Sequence, residues 1–338
     1  MLQAMGFLKR WLGAGEDPLR ESEVAFLICV EANRLEPQAS LLCESLRTFG
    51  GRYRDAPILA VSPRPALAPG PEARARLEAL GVTCVVEPLN ETGSPYGTIN
   101  RIVAGSWAEA STRHPYLVLL DTDTLFVGEP SFARADAGVR PVDVKGAASS
   151  GAGDPQDAYW VRLCGLGGIE PSRLPMISTA IDKVHVRASY NGGFTVVRRD
   201  LGILQKTREI FFASLRENLR PSPGANFDVF ASTGSVGREA SEWWGSSQAA
   251  LSVAIWSRTS DVHIYDERYN IPLNNLTGPG RSWPMRRGFA PVLLHYHHLA
   301  EPPYREQLRQ ALGRVRCAPD VIEWIEDRLC LFQKESDA

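Results

Sequence analysis

The sequence has no marked excess of charge of either sign. Its 37 lysines and arginines nearly balance 39 aspartates and glutamates, which leaves a net charge of −2. Proteins that bind nucleic acid usually present a basic field to the phosphates, so we expect no nucleic-acid partner. The hydrophobic fraction of 44% and the charged fraction of 22% are those of an ordinary globular protein.

Long apolar runs are also missing. No segment approaches the roughly 18 apolar residues of a membrane-spanning helix, and the N-terminus lacks the long apolar core of a signal peptide. Residues 1–13 place apolar side chains at helical spacing beside Lys9 and Arg10. A segment this short could touch a membrane surface or a partner, or it could pack on its own domain. We expect a cytoplasmic protein without a transmembrane segment.

Paired cysteines and phosphate-binding loops are absent as well. The six cysteines are scattered and form no CxxC pair, which favours reduced thiols over a disulfide framework or a zinc site. The sequence contains neither GxGxxG nor GxxxxGK[ST]. A bound nucleotide must therefore be held differently from that of a Rossmann dinucleotide site or a P-loop NTPase.

Alternating strand and helix patterns occupy the first part of the chain. Strand-like segments at 23–30, 56–62 and 82–86 alternate with helix-like segments at 37–49 and 71–80, and a further helix is predicted at 99–111. This order predicts an α/β fold with a parallel sheet. Ligands of such sheets bind beyond the carboxyl ends of the strands, which makes four polar residues candidates for nucleotide contacts. They are Glu31, Asn33, Asn100 and Arg101, although a capped helix with a surface arginine would also explain the last two.

One apolar strand ends in two aspartates. Tyr116–Leu120 is typical of a strand buried on both faces, and Asp121-Thr122-Asp123 follows it directly. Ionised carboxylates withdrawn from water need a cation or strong donors. Hard oxygen ligands suit Mg²⁺ or Mn²⁺, which also bind substrate phosphates. We therefore predict a metal–diphosphate site here, the alternative being a turn that caps the next element.

The segment 135–187 is rich in glycine, proline and serine, with one helix-like piece at 157–168. Long irregular segments in compact domains are usually functional or mobile. We interpret this segment as an excursion over the site, in which Lys145 could reach a phosphate. Tyr159 or Trp160 could line an acceptor pocket. A solvated surface loop is the alternative.

Two later motifs could contact a sugar. Asn191-Gly192-Gly193 precedes a strand-like segment at 194–197, and paired glycines permit close approach of the backbone to a ligand, as they would in an ordinary turn. A helix is predicted from Glu242 to Ile255, with serines as N-caps. Trp243 and Trp244 would form either an apolar wall or part of the core.

The segment 291–298, PVLLHYHH, is a second apolar strand pattern. Because side chains alternate along a strand, His295 and His297 would share one face. Either could be a third metal ligand, or simply a hydrogen-bonded histidine at a strand end. Two helices predicted at 303–314 and 319–333 would pack on the main body through Trp324 and its neighbours.

Taken together, these segments resemble the GT-A fold of nucleotide-sugar-dependent glycosyltransferases, most of all the glycogenin and bacterial galactosyltransferase (family 8-like) group. Asp121-Thr122-Asp123 matches the DxD motif of that group, and Asn191-Gly192-Gly193-Phe194 resembles its N(A/S)G strand entry. Ser247-Gln248 stands where the group often has Asp-Gln in contact with the transferred sugar. His295-Tyr296, followed by Pro302, is similar to a late motif whose histidine binds the metal. The chain departs from that late motif at His298, in place of glycine, and at Glu301, in place of lysine.

The resemblance implies a metal-dependent glycosyltransferase that uses a nucleoside-diphosphate sugar, with retention of configuration. The acceptor would be a glycan, a lipid, a small molecule or a peptide. The alternatives are a non-catalytic nucleotide-sugar-binding protein and a metal-dependent nucleotidyltransferase. The implied fold is a mixed, mostly parallel sheet flanked by helices, in one domain at 21–302 between an N-terminal segment at 1–20 and C-terminal helices at 303–338.

The resemblance also assigns roles to residues. Asp121, Asp123 and His295, with His297 as the alternative, would hold Mn²⁺ or Mg²⁺. Gln248 and Asn191 would orient the sugar, and Glu242 would be the candidate base of an inverting reaction. The predicted donor-binding residues are Glu31, Asn33, Asn100, Arg101, Asp121, Thr122, Lys145, Gly192 and Gly193.

Overall fold

A seven-stranded sheet forms the centre of the computed structural model, which describes residues 18–332; the segment at 1–13 lies outside them. In chain order the strands are β1 (Val24–Cys29), β2 (Ile58–Ser62), β3 (Val82–Val86), β4 (Tyr116–Leu120), β5 (Thr124–Phe126), β6 (Ala137–Pro141), β7 (Met176–Ser178), β8 (His185–Arg187), β9 (Tyr190–Arg198), β10 (Phe230–Ala231), β11 (Gly234–Ser235), β12 (Val262–Ile264), β13 (Ile271–Pro272) and β14 (Leu293–His295). The central sheet has the order β12-β6-β9-β4-β1-β2-β3. All of its strands run in one direction except β9, which is antiparallel to both β4 and β6. This confirms the predicted mixed, mostly parallel sheet.

Helices cover both faces of this sheet. Within residues 18–332 they are α1 (Leu35–Phe49), α2 (Pro71–Ala79), α3 (Ile99–Ser111), α4 (Asp157–Gly167), α5 (Ile203–Arg216), α6 (Arg238–Glu242), α7 (Ser246–Arg258), α8 (Arg305–Arg314) and α9 (Pro319–Arg328). Alternation along β4 explains the two cores: Leu117 and Leu119 face the cluster with α3, α5 and α7, whereas Val118 and Leu120 face the cluster with α1. Both faces of β4 are therefore buried, as its continuous apolar sequence predicts.

A small second sheet of order β13-β14-β5 continues from the end of β4. Its strand β14 is antiparallel to β5. Helices α8 and α9 pack on this sheet through a third apolar cluster, in which Ile325 and Leu329 are buried. The ring of Trp324 lies 5.0 Å from that of Phe49 on α1. The prediction that the C-terminal helices pack on the main body is confirmed.

The segment 135–187 is only partly an excursion. Its first residues form β6, a fully buried strand of the central sheet, so the prediction of an irregular loop was wrong there. Helix α4 matches the helix-like piece, and Tyr159 and Trp160 are buried in the core.

Three local predictions also need correction. Asn191, Gly192 and Gly193 lie inside β9 rather than before it. The predicted helix from Glu242 is broken between α6 and α7, and Gly245 at φ 86° occupies the N-cap of α7 in place of a serine, because only glycine takes positive φ at little strain. The strand pattern at 291–298 yields a strand only at β14.

All six cysteines have free thiols, as their scattered positions predict. Among the helices of residues 18–332, none has the length and apolar character needed to span a membrane.

Candidate active site

Three candidate metal ligands converge at the carboxyl end of β4. One ligand atom from each of Asp121, Asp123 and His295 lies within 4.8 Å of the other two. The Nε2 atom of His295 is 3.2 Å from Oδ2 of Asp123, and both side chains are almost fully buried. Asp121 is more open, with 31% of its side chain exposed. The group therefore has a buried half and a half that is accessible to a ligand.

Strand pairing explains how His295 reaches the two aspartates. β5 begins immediately after Asp123, and its first residue, Thr124, pairs with His295 on β14. In addition, the backbone N–H of Tyr296 donates to the carbonyl of Asp123 at 2.9 Å. Backbone hydrogen bonds therefore place the imidazole beside the aspartates, in addition to its direct contact with Asp123.

His297 is not part of this group. Its ring stacks on that of His295 at 3.9 Å between centroids, and its Nδ1 lies 3.2 Å from the His295 carbonyl. The stacking arises because the chain turns at His297, where φ is +53°, and not because a strand continues. Burial and the adjacent charge of His295 lower the pKa of His297 to about 3.

Asp123 and His295 shift each other's pKa. Burial alone would lower the pKa of His295, but the charge and hydrogen bond of Asp123 raise it to about 9. Burial likewise opposes ionisation of Asp123, and the His295 charge nevertheless brings the pKa of Asp123 well below its usual value. Two buried charges are stable here because each compensates the other.

Two glycines of β9 make room for the side chains around the aspartates. A Cβ atom at Gly193 would lie 2.7 Å from Cε1 of His295 and 2.9 Å from Oδ1 of Asn270, and a Cβ at Gly192 would overlap the guanidinium of Arg101. Neighbouring residues of a strand face opposite ways. The glycines therefore admit His295 and Arg101 from opposite sides, and the backbone carbonyl of Gly193 accepts the N–H of Asp121 at 3.1 Å.

Arg101 binds the more exposed aspartate. Its Nη1 donates to Oδ1 of Asp121 at 2.6 Å, and its Nη2 donates to the hydroxyl of Ser247 at 3.4 Å. The same hydroxyl is 3.2 Å from that of Tyr96. Ser247, which stands where the resembling group has an acidic residue, thus lies in a polar network with Arg101 instead of capping α7.

Polar side chains at the end of β1 form a second network at the same edge. Both carboxylate oxygens of Glu31 accept from Arg64, at 2.7 and 2.5 Å. Asn100 donates to Glu31 at 3.0 Å and accepts from Asn90 at 2.6 Å. Asn33 is exposed at the turn before α1, with φ at +71°.

The remaining predicted site residues have the following positions. The hydroxyl of Thr122 donates to Gln38 at 2.8 Å. Lys145 forms an ion pair with Asp154 at 2.9 Å. Glu242 is paired with Arg220, and the charge-assisted hydrogen bond lowers the pKa of Glu242. Gln248 is half-buried on the first turn of α7.

The adjacent tryptophans separate. Trp243 is buried, with its ring 6.0 Å from that of Phe211. Trp244 is 39% exposed and lies edge-on to Tyr96 at 6.4 Å. Trp243 is therefore core, and Trp244 contributes exposed apolar surface beside the Tyr96–Ser247–Arg101 network.

Two polar residues behind His295 were missed from the sequence. The half-buried Asp143 accepts from Nδ2 of Asn191 at 3.0 Å, and desolvation of its carboxylate raises the pKa of Asp143 to about 6. Asn270 is fully buried, and neither its side-chain oxygen nor its nitrogen has a hydrogen-bond partner; Nδ1 of His295 also lacks one. Asp143 carries no clear signal, because it follows β6, a strand that the sequence pattern does not reveal. Asn270 carries none, because only the fold brings it near His295.

The residues present fit a divalent cation. Two carboxylates and one imidazole are donors that suit Mn²⁺ or Mg²⁺ when water and phosphate oxygens complete the shell. A ligating histidine normally donates its second ring N–H to an acceptor. The unpartnered Nδ1 of His295 and the unpartnered amide of Asn270 both border Gly193, so the chain offers such an acceptor.

Comparisons with known proteins place the chain in a family. Residues 26–226, more than half of the chain, match the family described as the Rhodobacterales glycosyltransferase domain. No curated protein matches. Among solved structures, the apo form of the bifunctional glycosyltransferase WbbM is similar at 11% identity and a TM-score of 0.46. The similarity covers 93% of this chain and 53% of that one, so this chain spans about half the length of that structure.

The family match confirms the predicted membership of a glycosyltransferase family and leaves the grouping with glycogenin untested. The sequence, the α/β sheet and the polar group at the end of β4 agree with this assignment. The chain belongs to the Rhodobacterales glycosyltransferase domain family.

Proposed function

We propose that this protein transfers a sugar from a nucleoside-diphosphate sugar to an acceptor in a reaction that depends on a divalent cation, Mn²⁺ or Mg²⁺. The observation that carries the proposal is the convergence of Asp121, Asp123 and His295 within 4.8 Å at the carboxyl end of a central strand. Ligands of parallel α/β sheets bind at this edge. Membership of a glycosyltransferase family supplies the reaction class.

Asp123 and His295 would hold the cation, with Asp121 on its open side. A bound divalent cation would supply positive charge to the diphosphate, whose leaving oxygen becomes more negative as the glycosidic bond breaks. Arg101 lies against Asp121, so its guanidinium can add a second positive group for a phosphate. Glu31, Asn100 and Asn33, which lie near the same sheet edge, would contact the nucleoside.

The sugar would lie between β9 and α7. Asn191, whose amide is fixed by Asp143 and by the N–H of Gly193, and Gln248, on the first turn of α7, would orient its hydroxyls. The exposed face of Trp244 would form one boundary of the region in which the acceptor binds. Lys145, which is paired with Asp154, would have to exchange that partner to reach a phosphate.

We favour retention of anomeric configuration. An inverting reaction needs a free carboxylate near the acceptor hydroxyl. The candidate, Glu242, is held by Arg220 and by the N–H of Gly224. In a retaining reaction the leaving phosphate can accept the proton, so no free carboxylate is required.

The test is product analysis on the purified chain. Nucleoside diphosphates and their sugars would first be screened by thermal shift with and without Mn²⁺, since selective binding raises the melting temperature. Donors that bind would then be incubated with the protein, Mn²⁺ or EDTA. We expect Mn²⁺-stimulated release of free nucleoside diphosphate. Release of sugar 1-phosphate from the donor, or of pyrophosphate from an added nucleoside triphosphate, would instead indicate nucleotidyl transfer. Binding without release would indicate a non-catalytic protein.

A further inference from the structure

A cavity of about 370 Å³ opens between β6, the turn at 178–183 and the segment 266–286. It contains none of the three candidate metal ligands. Its volume falls within the roughly 300–1,000 Å³ typical of small-molecule sites. Its polar wall and one aromatic side come from six residues: Arg140, Lys183, Asp266, Glu267, Trp283 and Arg286.

The charges in this wall do not cancel. Asp266 is paired with Arg268, and Glu267 is paired with Arg286. Arg140 and Lys183 have no carboxylate partner within the described residues; Lys183 donates to the carbonyl of Ala180 at 2.6 Å. The lining therefore carries three positive side chains and two carboxylates, and two of the positive side chains have no ion-pair partner among the described residues.

Arg140 is much more buried than Lys183. Only 8% of it is exposed, and its Nη1 donates to the carbonyl of Tyr265 at 2.8 Å. Because a guanidinium has five N–H donors and stays protonated in proteins, this single hydrogen bond leaves donors free. Asp143, Asp266 and Glu267 act on Arg140 through their charges, but among the described residues none of them forms an ion pair with it. An anion that enters the cavity can therefore contact the guanidinium directly.

The other side of the cavity suits a ring. Trp283 is 7% exposed, and its Nε1 is fixed by the carbonyl of Glu267 at 2.6 Å. Pro141 and Pro284 lie in the same wall. Rigid apolar surface in the same cavity as a cation fits a molecule with one anionic group on a compact carbon ring.

The cavity is connected to the metal-ligand group through the backbone. Pro141 pairs with Tyr190 at the start of β9, which continues into Asn191, Gly192 and Gly193. Asp143, two residues beyond Pro141, contacts Asn191 at 3.0 Å. A molecule in the cavity would therefore bind against the same strands that position the sugar-orienting residues.

We propose that this cavity binds the anionic group of the acceptor, a carboxylate or phosphate carried on a sugar ring. The identification of the bound molecule as the acceptor rests on the proposed function, whereas the anion site itself does not. Arg140 and Lys183 supply the charge, and Trp283 supplies the face for the ring.

The proposal is tested by calorimetric titration of the full chain with glucuronate, glucose 6-phosphate and glucose, without metal or donor. We expect the anionic sugars to bind and glucose to bind much more weakly; the stronger of the two anions identifies carboxylate or phosphate. Lys183→Gln and Arg140→Gln should each weaken binding by about tenfold, as for loss of a hydrogen bond to a charged group. Arg113→Gln, which removes an exposed charge elsewhere, should leave it unchanged.

Equal binding of glucose, or unchanged anion binding in Lys183→Gln, would overturn the proposal. Lys183 is exposed, so this variant remains decisive even if Arg140→Gln does not fold. Donor hydrolysis by the wild type separates the two claims. Anion binding without release of nucleoside diphosphate refutes the proposed function alone, whereas release without anion binding refutes the cavity alone.

Discussion

His295 and Asp123 form a buried pair across the two halves of the chain, with Nε2 and Oδ2 3.2 Å apart. The pair is set by the register of β14 on β5, which places His295 opposite Thr124. A change at either residue should therefore affect metal binding more than the fold, since the backbone pairing does not depend on their side chains.

Asp123→Asn should abolish metal-stimulated release of nucleoside diphosphate. The amide keeps the shape of the carboxylate but removes its charge, and the loss should exceed the roughly 10–100-fold effect of changing a residue that merely supports a ligand. Turnover and Mn²⁺ affinity would be measured beside circular dichroism. Asp55→Asn, at an exposed aspartate, is the control. Wild-type turnover in Asp123→Asn would refute the assignment of this residue.

Gly193→Ala should weaken Mn²⁺ binding without preventing folding. The new Cβ would lie 2.7 Å from the His295 ring and 2.9 Å from Asn270, so the imidazole must move away from Asp123. Titration of Mn²⁺ into the purified variant measures this directly. Gly313→Ala, at a helical glycine with open space around it, should bind Mn²⁺ as the wild type does.

Gly192→Ala should act on the donor rather than on the cation. Its Cβ would displace the guanidinium of Arg101 from Asp121. We expect a raised KM for the nucleotide sugar and a smaller change in Mn²⁺ affinity than in Gly193→Ala. An equal loss of Mn²⁺ affinity in both variants would show that the two glycines do not make room for separate side chains.

The apolar strands and the paired aspartates could be predicted from sequence because burial imposes a visible pattern. Strand β4 is apolar throughout and ends in charge. Strand β6 could not be found in this way. Its sequence, Ala-Gly-Val-Arg-Pro, has one strand-forming residue, Val139, among glycine, proline and alanine, which are depleted in strands. Gly138 is required because the ring of Tyr265 lies where a Cβ would be.

The histidine choice illustrates another limit. Alternation predicts that His295 and His297 share a face, and their rings do lie together. Only His295, however, is in the strand that pairs beside Asp123, because the chain turns after it. The end of the strand is set by contacts with β5 and Asp123, which the local sequence does not encode.

Glu109 should make the stability of the fold depend on pH. This buried carboxylate accepts the N–H groups of Leu204 and Gln205 at the start of α5, at 3.0 and 2.8 Å. Burial raises its pKa above 4.5, against the lowering effect of those hydrogen bonds. From pH 4.5 up to the raised pKa the folded state binds more protons than the unfolded state, so this contribution to stability falls as pH rises.

Glu109→Gln removes that titration and one of the two acceptors. We expect a loss of about 1–3 kcal/mol in the free energy of unfolding, largest at pH 4.5 and smaller at neutral pH. Urea denaturation of both proteins at the two pH values measures the difference. A difference that grows with pH would contradict the raised pKa.

Ile325→Ala should weaken the metal site from a distance. Ile325 on α9 is fully buried in the cluster that also contains Leu294 and Tyr296, the neighbours of His295. Removing its side chain should lower the free energy of unfolding by about 2–5 kcal/mol. It should also reduce Mn²⁺ affinity at temperatures where the variant is still folded, since β14 loses packing on one side. Glu323→Ala, at an exposed residue of the same helix, should change neither quantity. Unchanged Mn²⁺ affinity in a destabilised Ile325→Ala would show that the pairing of β14 with β5 holds His295 without help from the C-terminal helices.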